Sequence, residues 1–537
     1  MSSQAKPFLM GSETEYAVAG REATGQIHAD DLYRMLAEVL RRERAWMADR
    51  DDFPGQYLQH GGRLYLDSGW HPEHATPECF TPRQVACYDK AGEALLDLAR
   101  RRLLEEGRAT RVSIVKNNLD SVYPGECTYG THESYTCWAR NGETASQLLP
   151  HLASRIVYAG SGCLSADPHG IGFELSQRAR HIVQSVGHNT TAERALFSTR
   201  LRKVSDYSNE GWFRIHLISK DSQRAPFGIY LTFAATGLLV EMLNRGLRIG
   251  QGVHLANPVQ ALRDFSRDPW LRVRAPLSDG RQFTALEIQE SYLAECERAV
   301  QHGEMPDWAP EAVWYWRQTI EGLARDPLSL ANRLDPYCKL LIYQHELLRG
   351  GFDWNDLREA LAKLALLRAA YSEPAFRAVL VESATGLSAE ATSEYDQARA
   401  ALGVGQPKEL ERLRFAVRLQ ALDIQYHELG GLYDRLREAG RMEDVILDSV
   451  DVERATREPP AGGRAAARGA FIRSVAGEED WLADWQYLWH EPTGRCLDLR
   501  DPFRGAGTLV HLPVPPDAED DDGPADVLEL LTQRVTV

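Results

Sequence analysis

Polar and apolar positions alternate with a period of two over residues 8–18, which predicts a strand, and give way to an amphipathic helical pattern over 30–47. A polar connector rich in aspartate, 49–55, leads to a second predicted strand at 62–67. A helix is predicted over about 83–106 and a buried strand over 112–118, and strand patterns recur at 132–138, 171–178 and 211–219. From about 227 to 425 the chain turns mainly helical, with a 3.6-residue period in 228–245, 284–301, 355–371 and 409–423. The run Glu458-Pro-Pro-Ala-Gly-Gly-Arg464 is a loop signal, and the tryptophan-rich piece 481–490 with a strand at 507–513 suggests a small terminal module. The acidic stretch 515–524 reads as a solvated, mobile segment, and no internal repeat is visible. The pattern predicts an α+β fold, an N-terminal sheet with helices on one face followed by a small C-terminal domain.

Composition narrows the class. At 537 residues the chain exceeds the usual size of one core, and a hydrophobic fraction of 43% with 12 tryptophans predicts a globular protein of two or more domains. A formal charge of −16 argues against nucleic acid or an anionic membrane as a partner. By inspection no apolar run reaches spanning length, and the N-terminus lacks a signal-peptide core. The eight cysteines form no C-x-x-C pair, so free thiols in a reducing cytoplasm are expected.

The strands carry unusual polar faces. In Arg63-Leu-Tyr65-Leu-Asp67 alternation puts a guanidinium, a phenol and a carboxylate on one face. Glu13 and Glu15 likewise share a face, and Arg214 and His216 share one while Phe213, Ile215 and Leu217 turn to the core. Two carboxylates about 4 Å apart repel by roughly 4 kcal/mol at an effective dielectric of 20, so faces like these around one cavity call for divalent cations or arginines. Glu13 and Glu15 are candidate magnesium ligands, or simply a solvated strand face. Asp67 suits a general base or nucleophile, or equally an aspartate that ends a strand. His132 offers an imidazole to a metal, and Arg178 offers a phosphate contact on a wet strand face. Walker A, Rossmann and kinase signatures are absent, so any ATP would lie across a sheet, held by arginines and metals.

As a set, these blocks resemble the family of the Pup ligase and the Pup deamidase/depupylase, nearly end to end. The matching stretches are Met10-Gly-Ser-Glu13-Thr-Glu15-Tyr, Arg63-Leu-Tyr65-Leu-Asp67, His71-Pro-Glu73 with Ala-Thr76-Pro-Glu78-Cys, and Asp89-Lys-Ala-Gly-Glu93. They continue through Lys116-Asn-Asn-Leu-Asp120, Tyr129-Gly-Thr-His132-Glu133, Ser176-Gln-Arg178-Ala, Arg214-Ile-His216, Leu422-Asp-Ile-Gln-Tyr426 and Arg457-Glu-Pro-Pro460. The resemblance implies a glutamine-synthetase-like curved antiparallel sheet cradling ATP and Mg2+ and backed by helices (1–428), with a small C-terminal domain (429–537) closing over the nucleotide. It implies Glu13, Tyr65 and Glu73 as magnesium ligands, with Glu15, His132 and His216 as further candidates. Arg63, Thr76 and Arg214 become ATP contacts, joined by Trp485, and Asp67 becomes the catalytic aspartate.

The partner implied is a small disordered Pup-like modifier and its conjugates, with a link to a bacterial proteasome or related protease. Thr131 matches the deamidase, where the ligase tends to carry cysteine, and on this ground the leading expectation is a deamidase/depupylase-like hydrolase. The alternatives are an ATP-dependent ligase and a non-catalytic modifier-binding homologue. The connector 48–62 lacks the deamidase's long insertion, and the block after Glu193-Arg-Ala-Leu-Phe-Ser-Thr-Arg200 departs from both branches.

Overall fold

At Tyr16 the N-terminal chain leaves one sheet for another. The expected strand 8–18 is two strands: Met10–Glu15 in the main sheet, and Ala17–Glu22 in a three-stranded sheet with Gly25–Ile27 and Arg111–Val115. The fully buried Tyr16 ring sits at the change of direction. The structure, a computed structural model, describes residues 6–50, 54–67, 69–119, 128–139, 143–188, 193–199, 211–401, 407–505 and 508–511. The acidic stretch 515–524, and most of the departing block after 199, lie outside the described residues.

Among the described residues the main sheet has 13 strands. Its order runs Gln184–Gly187, Ala195–Ser198, Phe213–Leu217, Thr131–Cys137, Met10–Glu15, Pro72–Ala75, Arg63–Leu66, Gly55–Leu58, Trp46–Asp49, then Trp481–Ala483, Tyr487–His490, Arg495–Asp498 and Thr508–His511. Pairing is antiparallel except at two joins, Gln184–Gly187 with Ala195–Ser198 and Trp46–Asp49 with Trp481–Ala483. The second join carries the C-terminal strands onto the edge of the N-terminal ones, so both halves of the chain build one surface. Met47, Tyr57, Ile472, Trp481 and Leu488 share a core beneath it.

Helices cover one face of this sheet. Pro82–Glu105 starts at Thr81, whose hydroxyl accepts from Gln84 N–H (3.2 Å), with proline at the first turn where no N–H is needed. It packs with Pro226–Asn244 behind strands Met10–Glu15 and Thr131–Cys137. All 19 residues of Pro226–Asn244 are buried. Contrary to expectation, this helix is long and apolar enough to cross a membrane; here it is the central core helix, apolar all round because protein surrounds it. The helical patterns at 228–245, 284–301, 355–371 and 409–423 appear as Pro226–Asn244, Ala285–Gln301, Trp354–Ala370 and Pro407–His427.

Two local expectations are corrected. The two ends of the polar connector 49–55, Asp49 and Gly55, belong to paired strands, Trp46–Asp49 with Gly55–Leu58. The Asp49 carboxylate crosses directly over Gly55, where any Cβ would collide with it, so glycine here is a packing requirement and not a loop signal. The expected strand 171–178 shrinks to Phe173–Glu174. Asp221 takes the rest: its carboxylate accepts from Gln177 N–H (2.9 Å), Arg178 N–H (3.2 Å) and the Ser176 hydroxyl (2.7 Å). Backbone donors captured by a side chain are not available to a ladder.

Candidate active site

Directly opposed residues of an antiparallel pair project from the same face, so the register locates the site. Tyr65 faces Glu73, and Glu73 faces Glu15 on the next strand. One step along, Arg63 faces Ala75, Ala75 faces Glu13 and Glu13 faces His132. Arg214 and His216 enter from the following strand opposite Thr136 and Ser134. Residues far apart in sequence thus form adjacent rows on the face the helices leave uncovered.

Glu13 is the centre of one group. Its carboxylate lies 3.5 Å from His132 Nδ1, 3.5 Å from His216 Nε2 and 3.3 Å from Arg214 Nη1. Burial pushes the Glu13 carboxyl up, but the hydrogen bonds with His132 and His216 and the charge of Arg214 hold it well below the usual range. Burial, reinforced by Arg214, lowers His216 to about 4 and leaves it a neutral imidazole, the form that binds metal. One donor atom from each of Glu13, His132 and His216 falls within 4.8 Å of the others. Glu73 lies beside them, buried, with Oε1 lacking a hydrogen-bond partner among the described residues. Burial first, then the charges of Glu13 and Glu15, push its carboxyl well above the usual range. Surplus negative charge with an orphaned buried oxygen fits a divalent cation. Glu13 and Glu73 offer the oxygens magnesium prefers, and the two imidazoles add a borderline-soft pair. Tyr65 and Glu15 complete the row.

Asp67 ends its strand at the rim. Its Oδ1 accepts from Gly69 N–H (2.9 Å) and His71 N–H (2.6 Å), and His71 Nδ1 stands 3.6 Å away. Burial opposes ionisation, yet the side-chain and backbone bonds from His71 hold the Asp67 carboxyl below its ordinary value. It is therefore an ionised, solvent-reachable base at neutral pH.

Beside the Glu13 group lies a cleft open to solvent on one side. Glu13, Thr76 and Arg214 line it from the sheet, and Glu78, Arg464 and Trp485 from the C-terminal side. The Thr76 hydroxyl accepts from Ser12 N–H (3.0 Å) and is fixed in place. Trp485 packs edge-on to Tyr57 (5.3 Å) beneath the Arg468 guanidinium (4.8 Å).

The other predicted arginines are placed differently. Arg63 pairs with the buried Asp49 and stacks on Tyr65 at 4.2 Å, so its charge is engaged within the protein. Arg178 is not on a wet strand face. It is buried in the turn held by Asp221, its guanidinium filling the space that Gly130 leaves open, while Gly130 N–H donates to Glu15 Oε2 (2.5 Å). It stands under Glu15, outside the cavity lining.

Sequence reading missed Asp49 and the clamp of Arg464 and Arg468 on Glu78. Glu78 reads as a loop glutamate, yet Arg464 Nε (2.5 Å) and Arg468 Nη1 (3.1 Å) bind it and lower its carboxyl to about 2 against the pull of burial. The two arginines stand at i and i+4 of helix Gly463–Ser474, a spacing that is a legible signal of a shared target. Asp49 had no such signal, because its partner is chosen by strand pairing.

Thr131 decides less than its motif implies. It lies opposite Thr14, on the face turned to the helices, fully buried and bonded to Thr14 Oγ1 (3.1 Å) and Ser222 Oγ (2.9 Å). A threonine or cysteine there cannot touch a substrate on the opposite face.

The sequence profile of the Pup-ligase protein family matches residues 8–395 and 406–489. The chain is 32% identical over 507 residues to the Pup–protein ligase of Acidimicrobium ferrooxidans, covering 92% of this chain and 95% of that one. It is 31% identical over 517 residues to the Pup–protein ligase of Kineococcus radiotolerans, covering 94% and 98%. Among solved structures it is similar in fold to the complex of the prokaryotic ubiquitin-like protein Pup with its ligase PafA (TM-score 0.69, 21% identity, 93% of this chain and 89% of that one). It is also similar to PafA in complex with ADP (TM-score 0.63, 22% identity, 89% and 92%). Relatives named as ligases overturn the leading expectation of a deamidase/depupylase; that expectation rested on Thr131, which faces away from the site.

Proposed function

The chain belongs to the Pup-ligase family, and on that premise we propose that it is an ATP-dependent carboxylate–amine ligase that joins the C-terminal glutamate of a Pup-like small modifier to lysine side chains of target proteins. The observation that carries this reading is the adjacency of two half-sites on one sheet face. An open cleft is bounded by Glu13, Thr76 and Arg214, and an ionised Asp67 stands on the rim beyond Glu73 and Glu15.

In this reading a carboxylate of the modifier's terminal glutamate attacks the γ-phosphorus of ATP. An acyl phosphate forms and ADP leaves. A lysine amine then attacks the acyl carbon, Asp67 takes the ammonium proton, and phosphate departs as the isopeptide bond forms. Arg214, already aimed into the cavity, offsets negative charge on the transferring phosphate. Trp485 and Thr76 hold the nucleotide, and the clamp on Glu78 keeps the C-terminal wall in place. Glu13 and Glu73, with Tyr65, Glu15, His132 and His216 around them, would hold Mg2+, which supplies charge neutralisation at the phosphates. The intact set of Glu13, Tyr65, Asp67 and Glu73 favours a working enzyme over a silent homologue.

The test is a reaction of the purified chain with ATP, Mg2+, a glutamate-ended modifier and a lysine-bearing protein. One ADP should appear per conjugate formed. Cleavage of conjugates or of a terminal glutamine amide without ADP release would overturn the ligase reading.

A further inference from the structure

Three residues beyond Asp67 stands Trp70, an exposed aromatic residue. The residue is 60% exposed, and its backbone has φ +64°. A bulky residue in the left-handed region is a steric outlier, and such strain persists only where the surroundings enforce it. Here they do. Asp67 N–H donates to His71 O (3.0 Å), Trp70 N–H donates to Asp67 O (3.1 Å), and the Asp67 carboxylate accepts from Gly69 and His71. The loop is thus folded around Asp67 itself. Gly69 leaves no room for a side chain, since an added Cβ would lie 2.9 Å from the His71 ring and 3.1 Å from Asp67 Oδ2. His71 turns inward, its ring stacked on Tyr129 at 4.4 Å. The same hydrogen bonds that orient the Asp67 carboxylate thus hold the Trp70 backbone, and its indole is left largely to water.

We propose that Trp70 is a specificity residue for the acceptor lysine, its indole receiving the side chain that approaches Asp67. A lysine side chain has an apolar stem and a cationic head, and an indole is the strongest aromatic partner for both. The ionised Asp67 carboxylate, three residues before it, supplies the charge that draws the ammonium inward. This rests on the ligase reading and concerns only its second half-reaction. Activation of the modifier takes place on the other side of Asp67, at the nucleotide cavity.

The experiment compares wild type with W70G, which relieves the positive φ, and W70F, which keeps an aromatic ring. Each receives three acceptors: a target protein, Nα-acetyl-lysine amide and hydroxylamine, a small nucleophile without a stem. W70G should raise the KM for both lysine acceptors about five-fold. Its rate with hydroxylamine, and the ADP formed with it, should match wild type. W70F should recover most of the lost affinity. An unchanged KM for acetyl-lysine amide overturns the proposal, as does a defect confined to the target protein, which would place Trp70 against the target's surface instead. Absence of ADP formation by wild type would sink the ligase reading itself, and so the two failures are distinguishable.

Discussion

Both faces of the main sheet hold buried charge, arranged to opposite ends. Behind it Lys116 is bonded to Asp89 and to Glu93 (2.9 Å), Lys90 to Glu93 (2.5 Å), and Arg224 to Glu93 (3.2 Å) and Asp434 (2.8 Å). Three cations meet three carboxylates there, and Thr14 adds a hydroxyl to Asp89 (3.0 Å). On the front, Glu13, Glu15, Glu73 and Asp67 crowd together and the Glu73 Oε1 atom lacks a partner among the described residues. Buried charge that is balanced ties elements together; buried charge left in excess is a binding site. The difference separates scaffold from chemistry without reference to any relative.

Four perturbations break or sharpen this contrast. Asp67→Asn should slow conjugate formation by about 10²–10⁴-fold with little change in thermal midpoint, as expected for a general base at a solvated rim. Ligation assays and melting curves on one preparation check it, and a wild-type rate would remove Asp67 from the mechanism. Lys116→Met, on the other face, should cost about 3–5 kcal/mol of stability because Asp89 and Glu93 lose their shared cation in the interior. Chemical denaturation reads this directly; a loss under 1 kcal/mol would mean the network is not the tie described.

Glu78→Gln tests the join between sheet and C-terminal helix. Because the folded Glu78 carboxyl is lowered to about 2, its contribution is complete above the unfolded value of 4.5 and lost as pH falls from 4.5 toward 2. That contribution is about 3 kcal/mol. The variant should be less stable at neutral pH and its stability should depend less on pH across that window. The smallest effect belongs to Glu73→Gln. Removing a repelled carboxylate should stabilise the metal-free protein by about 1 kcal/mol and reduce the stabilisation given by added Mg2+. Calorimetry with and without Mg2+ decides, and a destabilised metal-free variant would contradict the charge excess.

How far the sequence was legible depends on the range of each interaction. Alternation placed Arg63, Tyr65 and Asp67 on one face, Glu13 and Glu15 on another, and Arg214 with His216 on a third; the register bears out the pairs Arg63–Tyr65, Glu13–Glu15 and Arg214–His216, while Asp67 lies just past the strand end. The main helices were equally clear, with the 83–106 pattern realised as Pro82–Glu105. The strand pairing at Asp49 was hidden because its strands are short and its aspartates mimic a turn. The turn at Ser176–Arg178 was hidden because Asp221, far along the chain, captures its backbone. Thr131 misled because a motif records which residue occurs, not which way it faces.

By itself the sequence determined which residues each strand turns to a common side, since a period of two is set by the chain's own geometry. It also determined, through a set of blocks spanning the chain, the family. Only the tertiary structure decided which sides meet. Register brought Glu13 against His132 and Glu73 against Glu15, drew Asp49 onto Arg63, and closed Arg464 and Arg468 over Glu78. Pairing between distant strands is chosen by the burial and packing of the whole sheet, a long-range sum that no local window of residues contains.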